Sequence, residues 1–348
     1  MNMCRKRLLM EDYRKSLLCV ALLACWGAPG LAQDAVAPRD PAAAALHIRP
    51  RYYRWYVNPG QEWVEKNLGY AFLDWKVPRG QAALVLVDVW DRHYIKDPEV
   101  RAEKIIQEKI RPLLAACRRG GLQVIHAPAP PQAKLQAGWV GRGENGGPAA
   151  EPAREGSPSG AGGVSPAREK AGGSSGTGTM PASAGLATLD ANAPWPPLQF
   201  RRKTGPYREF ARPDEPMEET RLKRLKGLSI HPDVRPLPGE PVIATGDELH
   251  RYCRQKGILF LFYVGFNTNA CILLRDYGTI EMSNRGYEVI LVRDCTTGME
   301  SFETADQLWQ TRAAIQFLEM FGKYSITSDE LIHELGVGAV QPPRQPSG

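Results

Sequence analysis

ILFLFYVGFNTNAC occupies residues 258–271 and decides the fold, because an unbroken apolar run ends at a glycine and is followed closely by a cysteine. Residues 258–264 have the length and composition of a strand buried on both faces of a parallel sheet. The stretch after it is amphipathic and is predicted to form a helix that ends near Gly286. Cys271 is then expected near a helix N-terminus, where free N–H groups and the helix dipole favour the reactive thiolate.

The same alternation of strand and helix extends to both sides of this segment. A strand is predicted at 82–87, with Asp88 at its C-terminal end, and a helix at 97–120 is followed by a strand at 122–125. Further elements are predicted at 241–244 (strand), 247–256 (helix), 287–292 (strand), 303–321 (helix) and 326–335 (strand and helix). Repeated units of this kind predict an α/β fold with a mostly parallel sheet and helices on both faces. No Gly-x-Gly-x-x-Gly follows the first strand, so no nicotinamide cofactor, and no other cofactor, is expected.

The N-terminal 32 residues have the pattern of an export signal. Basic residues up to Lys15 precede an apolar run at 17–26, and small residues at Gly30 and Ala32 suit signal peptidase. The sequence therefore predicts a signal peptide at 1–32 and a periplasmic or secreted protein without a membrane span. A lipobox-like Leu-Leu-Ala-Cys ending at Cys25 leaves a lipid anchor as the alternative.

Composition divides the rest of the chain. Residues 33–81 form an N-terminal arm, crowded with aromatic residues from 51 onward, that covers the core or a partner subunit or else lines the substrate pocket. The core domain spans 82–340 and is interrupted at about 131–194 by a Gly, Ala, Ser and Pro tract that is predicted to be a disordered insertion. A disordered tail is predicted at 341–348.

Charge and cysteine content exclude several functions. The chain has 44 basic and 38 acidic residues, but five of the basic and two of the acidic ones precede residue 33, which leaves only +3 beyond it. So small an excess without a basic stripe argues against a nucleic-acid partner. None of the seven cysteines forms a Cys-x-x-Cys pair, so a zinc or dithiol site has no support.

Asp88 and Cys271 together suggest an enzyme. Ligands bind beyond the C-terminal ends of the strands in open parallel sheets, and both residues are predicted at such ends. If the two strands are neighbours, the carboxylate can act as the base for the thiol, which is a plausible acyl-transfer site. The alternative is structural, since an aspartate after a strand often caps a turn and a cysteine on a helix is often part of the core.

Three motifs make the sequence resemble the isochorismatase-like cysteine hydrolases, a group that includes nicotinamidases and N-carbamoylsarcosine amidases. They are LVLVD at 84–88, the Gly-x-x-Thr-Asn-x-Cys signature at 265–271, and RGYEV at 285–289, which leads to Asp294. The resemblance covers 82–126 and about 241–335. It implies a Rossmann-like three-layer α/β/α sandwich, a small-molecule substrate and possible homo-oligomers.

The resemblance also implies roles for particular residues. Cys271 is the expected nucleophile, and Asp88 is the expected general base and then acid. A cis peptide is implied between Phe266 and Asn267, which aims the Asn267 N–H alongside that of Cys271 as an oxyanion hole.

One member of the family's Asp–Lys–Cys triad is missing. The sequence EPVIATGD at 240–247 stands where the resemblance places the lysine, and Thr245 or a neighbour takes its position. Lys203 is the candidate replacement, with Arg202 and Arg235 as alternatives, although a purely solvated Lys203 is also a consistent interpretation.

The remaining site predictions concern the pocket and a metal. Nicotinamidase-like relatives bind a metal through an Asp-x-His pair after the second strand, but this chain has His126 without an adjacent carboxylate, so no metal is predicted. Residues that line the substrate pocket are predicted to include Trp90, His93, His126, Thr245 and Thr268.

The sequence thus favours an exported hydrolase that cleaves a C–N bond of a small amide or carbamoyl compound through a Cys271 thioester. A non-catalytic small-molecule-binding homologue that lost the triad lysine is the alternative. Vinyl-ether cleavage, as in true isochorismatases, leaves Cys271 unexplained.

Overall fold

A computed structural model describes residues 45–142 and 195–336. The predicted signal peptide with Cys25, the first part of the arm, residues 143–194 of the predicted insertion and the tail at 341–348 lie outside these ranges. Within them, no helix is both long and apolar enough to cross a membrane.

The strands of the described chain form one large sheet and one small one. In chain order they are β1 (Ala45–Ile48), β2 (Arg51–Arg54), β3 (Gly69–Phe72), β4 (Trp75–Pro78), β5 (Ala82–Val87), β6 (Gln123–Ala127), β7 (Phe260–Phe266), β8 (Glu288–Thr297) and β9 (Tyr324–Ile326). The large sheet has seven strands in the order β3-β2-β9-β8-β7-β5-β6, and β1 pairs with β4 in a separate ribbon. The strands from β9 to β6 are parallel, whereas β2 and β3 are antiparallel additions at the edge.

The helices of the described chain connect and cover these strands. They are α1 (Lys96–Ile105), α2 (Arg111–Gly120), α3 (Pro130–Ala133), α4 (Leu198–Arg202), α5 (Glu218–Leu225), α6 (Gly246–Lys256), α7 (Thr279–Asn284), α8 (Trp309–Met320) and α9 (Ser328–Glu334). A π-helical turn at Ile106–Ile110 joins α1 to α2, so the helix predicted at 97–120 is a single rod with one irregular turn.

Buried side chains pack on both faces of the sheet. Because strand residues alternate between faces, Leu84 and Leu86 of β5 contact one apolar cluster, which includes residues of α1, α2 and α9. Val85 and Val87 contact the opposite cluster, which includes residues of α6, α7 and α8. The predicted three-layer α/β/α sandwich with a mostly parallel sheet is therefore confirmed.

The aromatic arm extends this sheet. Arg51 of β2 pairs with Ser325 of β9, and the Trp75 ring lies 4.6 Å from the ring of Tyr324 and 6.1 Å from that of Phe260. The described part of the arm thus covers the end of the core, as the first of the two sequence interpretations expected.

Two local predictions differ from the structure. The strand expected at 241–244 is reduced to single bridges from Val242 to His126 and Trp139. The helix that was expected to carry Cys271 and end near Gly286 is broken, because Thr268–Ile272 forms one π-helical turn and α7 begins only at Thr279. Tertiary contacts of the intervening turn replace the helix: the Asp276 carboxylate accepts from the Gly246 N–H at 2.8 Å, and the Tyr277 hydroxyl donates to the Pro128 carbonyl at 3.0 Å.

The beginning of the predicted insertion also has a defined structure. Residues 131–142 contain most of α3 and a segment in which Val140 N–H donates to the Val242 carbonyl at 3.0 Å. The Trp139 indole donates to the Glu248 carboxylate at 3.2 Å. These contacts fix a segment whose composition alone predicted disorder, so this part of the chain differs from the prediction.

Candidate active site

Asp88 lies at the C-terminal end of β5, in the position expected for a functional residue of a parallel sheet. Its φ of 46° is in the left-handed region, which aspartate tolerates better than most residues. The backbone of β7 approaches closely beside it: a Cβ on Gly265 would lie 1.9 Å from the Val87 carbonyl oxygen. Gly265, with a φ of 118°, is therefore required for the two strand ends to meet.

Cys271 is brought to Asp88 by the turn that follows β7. The peptide between Phe266 and Asn267 is cis. Cys271 lies near the Asp88 side chain and the Asn267 backbone, and both influence the pKa of its thiol. A nucleophile, a base and a backbone donor thus converge at one edge of the sheet.

Arg275 completes the group with a positive charge. It follows Cys271 by four residues, and its backbone N–H donates to the Cys271 carbonyl at 3.3 Å, so both side chains lie on one side of the turn. Its Nη2 lies 3.1 Å from Asp88 Oδ2 in an ion pair whose side chains are 17% and 7% exposed. The backbone of Ala129 also lowers the pKa of Asp88. The arrangement is a Cys–Asp–Arg triad.

Electrostatics favour a neutral thiol in the resting site. Burial raises the pKa of Asp88 above its usual range, while the charge of Arg275 and the hydrogen bonds from Cys271 and Ala129 oppose that shift. Burial and the negative charge of Asp88 raise the pKa of Cys271 to about 12. This direction is opposite to the lowered pKa expected at a helix N-terminus, because burial of the thiol and the charge of Asp88 both favour the neutral form.

An apolar cleft opens beside Asp88. Its walls are Val89, Trp90, Pro128, Ala129, Leu228 and Ile230, with Gln132 and Ser229 as polar neighbours. The segment that carries Leu228 lies along the residues after β5: the Asp91 N–H donates to the Ser229 carbonyl at 3.0 Å, and the His231 N–H donates to the Val89 carbonyl at 2.9 Å. Among the described residues, no aromatic ring of the arm lines this cleft, so the alternative role of the arm as a pocket wall has no support.

A family model described as Isochorismatase domain matches residues 197–321. This part of the chain is similar to isochorismatase domains. The match includes Cys271 and Arg275, and it begins some forty residues before the region in which the sequence motifs indicated similarity. The resemblance predicted from the motifs at 265–271 and 285–289 is confirmed, whereas the motif at 84–88 lies outside the matched residues.

The chain is also similar to solved structures of isochorismatase-like proteins. A cysteine hydrolase from Pseudomonas syringae pv. phaseolicola 1448A is 14% identical with a TM-score of 0.42, over 76% of this chain and 96% of that one. An isochorismatase family protein from Desulfovibrio vulgaris subsp. vulgaris str. Hildenborough is 13% identical with a TM-score of 0.39, over 74% and 98%. N-carbamoylsarcosine amidase from Thermoplasma acidophilum is 14% identical with a TM-score of 0.33, over 72% and 97%. No curated protein matches the sequence.

The prediction that Lys203 replaces the missing triad lysine needs correction. The Lys203 ammonium lies 3.5 Å from the centroid of the Phe200 ring. Within the described chain, Lys203 forms no ion pair with Asp88, whereas Arg275 does. Thr245, at the family position of the lysine, caps α6 by accepting a hydrogen bond from the Glu248 N–H at 3.2 Å. The positive charge beside Asp88 therefore comes from Arg275, in the turn that follows Cys271, and not from Lys203 or the segment at 240–247.

The predicted pocket residues divide into two groups. Trp90 lines the cleft, and the His93 ring lies 5.1 Å from the Trp90 ring but is not part of the cleft lining. His126 and Thr268 are buried elsewhere: His126 contacts Glu240 at 2.8 Å, and the Thr268 hydroxyl lies 2.6 Å from that of Thr296. Neither residue is among those that line the cleft.

Sequence reasoning missed Arg275, Ala129 and Gln132. Arg275 had a usable signal, since a residue four positions after a nucleophile on a helical turn lies on the same side. The other two fall at the edge of a segment that was predicted to be disordered, so no signal pointed to them.

Proposed function

We propose that this protein is an isochorismatase-like cysteine hydrolase that cleaves the C–N bond of a small amide or carbamoyl compound. The contact that carries the proposal is the Arg275–Asp88 ion pair, at 3.1 Å, beside Cys271. It supplies the positive charge that the missing triad lysine left in doubt, and it favours catalysis over the alternative of a non-catalytic binding homologue.

The first half of the reaction forms a thioester. The Asp88 carboxylate takes the thiol proton as the Cys271 sulfur attacks the carbonyl carbon, which avoids a free thiolate in a site where its pKa is about 12. The N–H groups of Asn267 and Cys271 stabilise the resulting oxyanion. Asp88 then gives its proton to the nitrogen as the C–N bond breaks, and ammonia or an amine leaves.

The second half restores the enzyme. Asp88 removes a proton from water as the water oxygen attacks the thioester carbonyl, and it returns that proton to the sulfur when the C–S bond breaks. Arg275 keeps Asp88 ionised between these steps and holds its carboxylate toward the sulfur. The export signal predicted at 1–32 further suggests that the reaction takes place in the periplasm or outside the cell.

A panel of small amides and carbamoyl compounds tests this proposal with three variants of the full chain. Cys271→Ala and Asp88→Asn should each lower kcat/KM by at least about 10³-fold, which is the scale of losing a nucleophile or its base. Asparagine is suitable at position 88 because it also tolerates the left-handed backbone. Cys117→Ala, in the buried part of α2, is the matched control and should keep its activity.

Mass spectrometry of the quenched wild-type reaction should show an acyl group on Cys271. Full amidase activity in Cys271→Ala contradicts the mechanism. Tight binding of a panel compound without turnover or acylation supports the binding homologue instead.

A further inference from the structure

Helix α8 is apolar on two opposite sides, although only one of them packs against the core of the described chain. Ala314 and Leu318 are buried toward the sheet. On the outer side, Trp309, Ala313 and Phe317 follow one another at intervals of four residues, and all three are exposed. A surface helix normally has polar residues on its outer side, whereas a helix that is apolar all round is normally buried. The outer side of α8 therefore has the composition of an interface.

Aromatic rings at the C-terminal end of α8 enlarge this surface. The Phe321 ring lies 4.8 Å from that of Phe317 and 6.3 Å from that of Trp55, whose indole donates to the Met320 carbonyl at 2.9 Å. The rings of Trp55, Trp309, Phe317 and Phe321, which together with Ala313 form the α8 patch, belong to side chains of residues between 42% and 56% exposed. At roughly 200 Å² for each aromatic residue, the four rings present about 400 Å² of apolar surface, an area that on a soluble protein often marks an interaction site.

The spacing of the α8 patch makes it complementary to itself. When two copies of α8 run antiparallel about a two-fold axis at Ala313, Trp309 of each copy lies opposite Phe317 of the other, because both are four residues, or about 6 Å, from the axis. The same symmetry places Gln310 of one copy opposite Gln316 of the other, so the amide side chains beside the rings also face each other. The small side chain of Ala313 at the axis lets the two helices approach closely.

Charge and the course of the chain favour a second copy over other occupants. An anionic lipid surface is bound by clusters of basic residues, but Arg312 is the only basic residue between Trp309 and Met320. Leu46 and Leu335, near the two ends of the described chain, contact the apolar cluster on the face of the sheet opposite to α8. A second copy can reach the α8 patch directly from solvent.

We infer that the α8 patch binds the same patch of a second copy, so that the protein is a homodimer with two antiparallel α8 helices at its two-fold axis. Each partner of a standard interface buries about 800 Å². The four rings supply about half of that area, and Gln310, Arg312 and Gln316 beside them supply a polar rim. The inference does not rest on the proposed function, since the α8 patch contains none of the residues of the Cys–Asp–Arg triad.

The mass of the full chain in solution tests the dimer. Sedimentation velocity is measured from about 1 to 100 µM, the range in which an interface of this size should associate, and wild type should reach twice the monomer mass. Ala313→Arg brings two like charges together at the axis and should raise the dissociation constant at least about 100-fold. Because the position is exposed and arginine is a good helix former, this variant should fold like wild type. The control Leu135→Arg, at a residue 79% exposed just after α3, should change the dissociation constant by less than about 3-fold.

Cysteine pairing tests the antiparallel register. In Ala313→Cys the two introduced thiols of a dimer meet at the axis, and oxidised glutathione should link the chains well above the level seen in wild type. In Phe317→Cys the two thiols are eight residues apart, or about 12 Å along the helix, and should not link to each other. A mixture of Phe317→Cys with Trp309→Cys should link, because these positions face each other.

Four other results overturn the inference. A wild type that stays monomeric over the whole concentration range shows that the α8 patch does not bind itself, and a monomer that sediments with phosphatidylglycerol vesicles shows that a lipid surface covers the patch instead. A dimer that Ala313→Arg leaves intact uses another surface. Equal linking of Ala313→Cys and Phe317→Cys alone shows random collision and not the antiparallel pair.

Discussion

Arg275→Met tests the charge that the triad places beside Asp88. The Nη2–Oδ2 distance is 3.1 Å, and two opposite charges at such a separation attract by about 5 kcal/mol at an effective dielectric constant of 20. The Arg275 side chain is 17% exposed, and water will enter the space that methionine leaves. Because this water solvates the carboxylate in place of the guanidinium, we expect the net loss to be only a third to a half of that attraction. The pKa of Asp88 should therefore rise by roughly 1 to 2 units.

The assay follows the thiol directly and needs no substrate. Iodoacetamide alkylation of Cys271 is measured from pH 4 to 9 by peptide mass spectrometry, with the buried Cys117 as an internal reference. The rate should rise with pH as Asp88 ionises and accepts the thiol proton. In Arg275→Met this rise should move to higher pH by about 1 to 2 units, so that the rate on its acidic side falls about 10- to 100-fold.

Arg275→Lys is the matched control because it keeps the charge. Its alkylation profile should stay within about half a unit of wild type, and both variants should unfold cooperatively with Cys117 still slow to react. An Arg275→Met protein that is folded and has an unchanged profile refutes the reasoning. A lysine variant that behaves like methionine shows that guanidinium geometry, and not charge, is what Asp88 requires.

Two further predictions concern stability. Gly265→Ala should destabilise the protein by at least about 3 kcal/mol in urea unfolding, because its Cβ would overlap the Val87 carbonyl. The control Gly80→Ala has open space around its Cβ and should change stability by less than about 0.5 kcal/mol. Similar effects for both variants would contradict the close approach of the strands. Burial alone would raise the pKa of Glu240, but hydrogen bonds from His126 and Arg118 outweigh it and lower the pKa to about 2. Since the folded-state value lies below the unfolded one, Glu240→Gln should cost about 1 to 2 kcal/mol at pH 6, after allowance for solvent screening, and about half of that at pH 3, as wild type loses this stabilisation on acidification. A cost that does not depend on pH would show that the ion pairs contribute nothing.

The sequence predicted the sheet and half of the site because those features depend on local pattern. Residues 82–87 and 258–264 are uninterrupted apolar runs, and their ends marked Asp88 and Cys271. That these ends lie side by side depends on the strand order, in which β5 and β7 are neighbours, and no local pattern contains that information.

The failures have tertiary causes. The amphipathic pattern after Cys271 predicted a long helix, but Asp276 and Tyr277 form hydrogen bonds to Gly246 and Pro128 and fix a turn instead. That turn ends in a position that lets Arg275 reach Asp88. A search for a lysine at 240–247, where the resemblance places it, could therefore not identify Arg275.

The strands that the arm adds to the sheet also bear on solubility. Without β2 and β3, the parallel sheet would end at β9, a strand that lies buried between its neighbours. An open strand of that kind is a template for pairing with other chains. The arm moves the open edge to β3, where Arg51 lies 4.2 Å from the Tyr70 ring and Arg49 lies 5.5 Å from that of Phe72. A protein truncated before β5 would expose β9 as an open edge and should aggregate even though Asp88, Cys271 and Arg275 are all retained.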